Sequence, residues 1–174
     1  MTFYGRCDGS VMVLMKYEVE TTTDDRGNVA LGKDPVKGFV KKTSEDVLSG
    51  SEASALEGVT AKANPGYHFI GWYVGADKIA DTVYYKPVKG DDGLLHSATY
   101  VAKFAENDNV TLTYVANQLY TEEGISGTVV VNGTESDTSE SVAPASGTAK
   151  GATATPKLGY VFDYWTNGKG EKLK

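Results

Sequence analysis

Apolar and polar residues alternate one by one over several stretches of the chain. Tyr100, Ala102 and Phe104 alternate with Thr99, Val101 and Lys103, and Val110, Leu112 and Tyr114 alternate with Thr111 and Thr113. Val129 and Val131 continue the pattern. A period of two sends successive side chains to opposite faces of an extended strand, so these stretches predict half-buried strands rich in β-branched and aromatic residues. Turn signals fall between them at Asp25-Arg26-Gly27-Asn28, Asn64-Pro65-Gly66, Asp91-Asp92-Gly93, Asn132-Gly133 and Asn167-Gly168. The Asp-Gly and Asn-Gly pairs predict hairpin turns. One window leans helical: Ser51 to Glu57 offers good helix formers, an N-cap in Ser51 and a stop at Gly58, enough for two turns at most. Its counterpart, Ala145 to Lys150, is weaker and predicts a turn. The pattern gives a mainly β (or α+β) fold with at most one short helix per unit.

The chain is written twice. Gly58-Val59-Thr60-Ala61 aligns with Gly151-Ala152-Thr153-Ala154, and the match runs on without gaps through Tyr67 on Tyr160, Phe69 on Phe162 and Trp72 on Trp165, with seven of fifteen positions identical. At another offset, Thr99 to Tyr114 aligns with Thr2 to Tyr17, placing Tyr100 on Phe3, Lys103 on Arg6 and Phe104 on Cys7. Between these anchors, Gly27 to Leu31 matches Gly127 to Val131, and Glu45-Asp46-Val47 matches Glu140-Ser141-Val142. The expected organisation is a closing strand of a preceding unit, or a tag-like start, in residues 1–10, a complete unit in 11–104, a linker in 105–109 and a C-terminally truncated second unit in 110–174. That second unit has no counterpart of Ile79 to Phe104. Such an arrangement suggests a piece of a longer array, and it leaves the second unit with an open strand edge. Thr2 to Cys7, or a neighbouring chain, is expected to fill part of that gap, which makes a strand-exchange oligomer a candidate assembly.

Composition narrows the function classes. Hydrophobic residues make up 40% and charged residues 23% of the 174 positions, as in ordinary globular proteins. A formal net charge of -6 argues against nonspecific binding to nucleic acid or to anionic lipid. The longest apolar run near the N-terminus, Val11 to Met15, is too short for a signal core or a membrane span. Cys7 is the single cysteine, so no intramolecular disulfide forms and no cysteine-based metal site is available.

The stretches "GVTAKANPGYHFIGWY" and "ATYVAKF" resemble the divergent internalin-type B-repeat family of bacterial surface proteins. Gly66, Tyr67, Phe69, Gly71 and Trp72 carry the first part of the family pattern, and Ala98, Tyr100, Ala102 and Phe104 the closing strand. In the second unit Gly159, Tyr160, Phe162 and Trp165 match, Tyr164 replaces the glycine, and the closing strand is missing. The resemblance implies tandem β-grasp-like or ubiquitin-like modules on extracellular stalks, at the surface or in the cell wall of a Gram-positive-type bacterium. It implies neighbouring repeats of the same chain as the first partners.

The aromatic motif has two readings. As a ligand site its rings would stand in a cleft. As a core, Tyr67 and Phe69 share the inward face and Gly71 permits a bulge that turns Trp72 inward too. Recurrence favours the core, since repeats reproduce their interior and vary their surface. The expected core signature is therefore Tyr67, Phe69, Trp72, Tyr100, Phe104, Tyr160, Phe162 and Trp165. His68 should point outward, and His96 sits in a loop; two distant histidines without a cysteine partner do not make a zinc site. Asp24-Asp25, Asp91-Asp92 and Glu122-Glu123 lack the spacing of a calcium loop. No nucleophile elbow or phosphate loop occurs, and Lys16 and Lys103 do not recur as an isopeptide-forming lysine should. No catalytic residue, metal ligand or cofactor is expected. Two functions stay open: a non-enzymatic stalk or spacer with a role in adhesion, and a module binding a host glycan or protein through exposed aromatics. For the second, Tyr73, Tyr84 and Tyr85 are the candidate ligand-facing rings, with Tyr85 also readable as core.

Overall fold

The structure is a computed structural model that describes residues 11–116 and 126–173. Thr2 to Cys7 and the Glu122-Glu123 pair lie outside the described residues. Two compact units divide the chain, Met1–Asn107 and Asp108–Lys174. The described strands are β1 (Met12–Val19), β2 (Gly27–Leu31), β3 (Lys42–Leu48), β4 (Val59–Ala63), β5 (Tyr67–Val74), β6 (Asp77–Ala80), β7 (Tyr84–Tyr85) and β8 (Ala98–Glu106) in unit one. Unit two holds β9 (Val110–Thr113), β10 (Gly127–Val131), β11 (Ser139–Val142) and β12 (Ala152–Pro156). Ala105 and Glu106, expected in a linker, extend β8.

Unit one pairs a five-stranded sheet, β3-β1-β8-β5-β6, with a three-stranded one, β2-β4-β7. β1 and β8 run parallel at the centre of the larger sheet, and every other pairing in it is antiparallel. A first and a last strand side by side, each flanked by an antiparallel partner, is a β-grasp order. Alternation dictates what each strand buries. Val13, Met15 and Tyr17 of β1 and Tyr100, Ala102 and Phe104 of β8 face a core shared with Val29, Val59 and Ala61 from the smaller sheet. Leu95, which precedes β8, and Leu56 close it from loops. The helical window shrinks to a three-residue 3-10 turn, Ala53–Ala55, and Glu52, not Ser51, holds its N-cap position without a side-chain bond. Two turns cannot form because Leu56 returns to extended backbone and buries its side chain.

Unit two repeats half of this plan in the same register. Val29 faces Ala61 and Leu31 faces Val59 between β2 and β4, as Val129 faces Ala154 and Val131 faces Ala152 between β10 and β12. Met15 faces Glu45 and Val13 faces Val47 between β1 and β3, as Leu112 faces Glu140 and Val110 faces Val142 between β9 and β11. Residues 143–150 contain a turn, as the weaker helical window implied.

The hairpin expectation needs correction. Asp92-Gly93 and Asn132-Gly133 make turns, but the strands they separate do not pair with each other. Consecutive strands here belong to different sheets, so long-range pairing overrides local turn chemistry. The turn that does join paired strands, β5 to β6, falls at Gly75-Ala76. Asn167-Gly168 sits in a minimal turn bracketed by the Thr166–Lys172 bridge.

Candidate functional site

The aromatic motif lies on β5. Phe69 pairs with Phe104 and Gly71 with Lys103, so Ile70 is an extra residue and the register slips. Gly71 takes φ +149, a value side chains rarely adopt. A Cβ there would run into the Lys78 side chain and come within 3.0 Å of the Ala80 carbonyl oxygen. The slip turns Phe69 and Trp72, three residues apart, to the same face. Trp72 is fully buried, edge-on to Tyr17 at 6.4 Å and to Phe69 at 5.8 Å between ring centroids, and its indole N–H donates to the Val83 carbonyl at 3.3 Å. Phe69 is half-buried and meets Phe104 at 5.6 Å, while Tyr67, half-buried at the strand's start, lies beneath the Arg26 guanidinium.

The corresponding segment of unit two behaves differently. Tyr160 and Phe162, expected in the core, are exposed, and Trp165 is half-buried against Phe162 and Tyr114. Residues 159–165 form no strand. Two causes are visible: no closing strand pairs with this segment among the described residues, and Tyr164 stands where Gly71 makes the bulge.

The three candidate surface tyrosines do not converge. Tyr85 packs on Tyr100 at 5.3 Å and on Trp72 at 6.3 Å, so it belongs to the interior. Tyr84 donates its hydroxyl to the Glu57 carbonyl at 2.9 Å and lies over Gly58. Tyr73 is half-exposed, with the Lys103 ammonium 4.7 Å above its ring and Glu20 3.0 Å from that ammonium. They form no common cleft.

A clasp built on one carboxylate recurs in both units, and sequence reasoning missed it. Glu45 accepts the Tyr17 hydroxyl at 2.5 Å and the backbone N–H groups of Glu57 at 2.7 Å and Gly58 at 3.1 Å. Glu140 accepts the Tyr114 hydroxyl at 2.6 Å and the N–H groups of Lys150 at 2.7 Å and Gly151 at 3.0 Å. Gly58 and Gly151 both take positive φ, +73 and +71, which aims two successive N–H groups at one side chain. Burial, then the Glu45 hydrogen bond, pushes the Tyr17 hydroxyl far above the ordinary tyrosine range. The Tyr114 bond and two backbone donors hold the Glu140 carboxyl below the usual carboxylate range. The recurrence of Tyr17 as Tyr114, Glu45 as Glu140 and Gly58 as Gly151 was the available signal. The clasp ties the edge strand of one sheet to the start of a strand in the other, so its chemistry is structural.

The model of the divergent InlB B-repeat domain matches residues 17–89 and 124–172, most of the chain in two stretches. The chain belongs to the divergent InlB B-repeat family. That family is associated with bacterial surface proteins. Neither curated proteins nor solved structures give a match to the chain.

Within this B-repeat chain, the remaining polar clusters are occupied by their own partners. A shallow groove of about 330 Å³ runs along Val19 to Arg26 with Lys41 and Lys42. Its charges pair internally: Arg26 with Asp24 at 2.9 Å, Lys41 with Asp25, and Lys42 with Glu18 at 3.5 Å. The Arg26 hydrogen bond holds the Asp24 carboxyl below its ordinary range. Asp92 is held low by His96 and by the Leu94 N–H. His68 is exposed and meets the Asn107 side chain at 2.9 Å. Among the described residues no group of three or more His, Cys, Asp or Glu is placed to hold a metal ion, and no helix is long and apolar enough to cross a membrane.

Proposed function

We propose that this chain is a non-enzymatic spacer of an extracellular bacterial surface protein, with adhesion served by the array rather than by a local site. One observation carries the reading. β1 and β8 are parallel neighbours, so the chain enters unit one at the Met12 end of the sheet and leaves it at the Glu106 end. In register those ends lie eleven strand positions apart, roughly 35 Å at about 3.3 Å per residue. Each complete unit therefore adds length along the chain's own direction. Only Asn107, Asp108 and Asn109 separate β8 from β9, a short joint. Arrays of this kind gain reach by addition and gain avidity by repetition.

The repeats also keep what holds them together and vary what they expose. The strand registers and the carboxylate clasp are shared, whereas exposed His68 and Lys62 become Val161 and Thr155. The rival reading, a glycan- or protein-binding module, has less support, since Tyr85 is interior, Tyr84 is bonded to Glu57 and Tyr73 lies under Lys103. A binding screen of the full chain against host glycans and surface proteins tests the two. The spacer reading expects no saturable binding; binding abolished by Tyr73→Ala would overturn it. Antibodies against the chain should label intact cells of the source bacterium.

A further inference from the structure

Outside the internally paired clusters, unit one carries lysines with no carboxylate partner, and they gather around the connection between β2 and β3. Residues 32–42 hold four lysines and a single acid, Asp34, in a chain with 17 basic and 23 acidic residues. The matching connection in unit two, 132–138, is three residues shorter than 32–41, holds no lysine and carries Glu135 and Asp137. β10 and β11 keep the registers of β2 and β3 without it, so the longer basic loop is surplus to the fold. It is nevertheless fixed in place. Val29, Val59 and Ala61 face the core, so Thr60 and Lys62 of β4 point away from it, to the outer face of the smaller sheet. The Thr60 hydroxyl lies 2.6 Å from the Gly32 carbonyl oxygen and 3.1 Å from that of Lys33, and Val40 bridges to Val29. Lys62 stands over the Phe39 ring, 5.3 Å from its centroid. Lys41 pairs with Asp25 and Lys42 with Glu18, whereas exposed Lys33, Lys37 and Lys62 form no ion pair among the described residues.

We propose that this lysine face of unit one binds a linear polyol phosphate, a flexible phosphodiester polymer without bases. Exposed, separated cations gain little from one small anion, because water and salt screen each pair. A polyanion differs: every phosphate it places on a lysine releases condensed counterions, and the contacts add along one chain. The cation type points to phosphate. Residues 32–42 contain no arginine, and Lys33, Lys37 and Lys62 are compact point charges suited to singly charged phosphates, whereas planar, paired recognition would call for guanidinium groups. The missing bases follow from the aromatics. A single-stranded nucleic acid needs open rings on which bases stack, and the one ring of the loop, Phe39, is already capped by the Lys62 ammonium. The contact goes beyond the spacer reading and does not depend on it: surface labelling decides that reading, and polymer binding decides this one.

The test uses the full chain and fluorescently labelled poly(glycerol phosphate), with anisotropy read across a salt series. Binding should be measurable at low ionic strength, and the logarithm of the association constant should fall with the logarithm of salt at a slope of about -2, as three lysine–phosphate contacts imply. Joint Lys33→Glu, Lys37→Glu and Lys62→Glu substitution should weaken binding at least about tenfold. The same positions changed to Gln should weaken it by a smaller factor. A control reversal in unit two, Lys157→Glu with Lys169→Glu, should leave it near the unmodified value, and circular dichroism should show both sets folded. Oligo-dT and heparin are the competing polyanions, and both should bind more weakly than the polyol phosphate. No binding at low salt, equal loss in the control, or tighter binding of oligo-dT or heparin would each overturn the proposal.

Discussion

Glu45 shows how much one side chain can organise. Its two oxygens accept from the hydroxyl of buried Tyr17, a donor that would otherwise lose water without replacement, and from the successive backbone N–H groups of Glu57 and Gly58. Glu45→Ala is expected to cost about 1–3 kcal/mol, the penalty of leaving a buried donor unpaired; urea unfolding measures it. Glu140→Ala should loosen unit two in the same direction. Acid should act like that mutation. Because the folded-state pKa of Glu140 is lowered, its stabilisation is present above the ordinary carboxylate value and drains away as pH falls through the folded one. Unit two should therefore loosen below about pH 4.5, the ordinary value. At the other extreme, burial pushes the Tyr100 hydroxyl up to about 12 from 10.0. A raised value means that stabilisation is complete below pH 10.0 and lost as pH climbs through the folded value, so unit one should loosen between pH 10 and 12. Circular dichroism across both pH ranges checks the signs.

At the level of the element, the strands were legible wherever a period of two coincided with repetition. The Gly27–Leu31 match became β2 and β10, and the bulge at Gly71 was readable because a glycine stood between two aromatic positions of the wrong parity. The failures have one cause. A strand is stable only with a neighbour, and Tyr160, Phe162 and Trp165 were assigned to the core by their match to the first unit although no described strand pairs with their segment. The Asp-Gly and Asn-Gly turns were read locally while the sheets pair over long range. Leu95 entered the core from a loop with no period to betray it. The clasp hid because each partner is an ordinary polar residue, and only its joint recurrence in two copies marks it. Unequal tryptophans follow. Trp72→Ala should cost about 3–5 kcal/mol, as deletion of a fully buried ring does, and Trp165→Ala much less. Denaturant midpoints of the two variants test the asymmetry.

For the whole molecule, the two units share a plan, with eight described strands in the first and four in the second. Unit one closes two sheets over one aromatic core, and its central pairing joins β1 to a strand more than eighty residues later, Met15 to Ala98. Long-range pairing of that kind predicts refolding in about milliseconds to seconds, slow for its size, which stopped-flow tryptophan fluorescence would register. Unit two keeps the paired registers and the clasp, and among its described residues no further strand pairs with β9, so its protection should be local. Residue-resolved hydrogen exchange on the full chain in dilute solution tests the central claim, that both units are built on one plan held by the same carboxylate clasp. The account predicts slow exchange at the N–H groups of Glu57 and Gly58 and, more weakly but well above the loops, at Lys150 and Gly151, with fast exchange across 159–165. Exchange at Lys150 and Gly151 as fast as in the loops would contradict it.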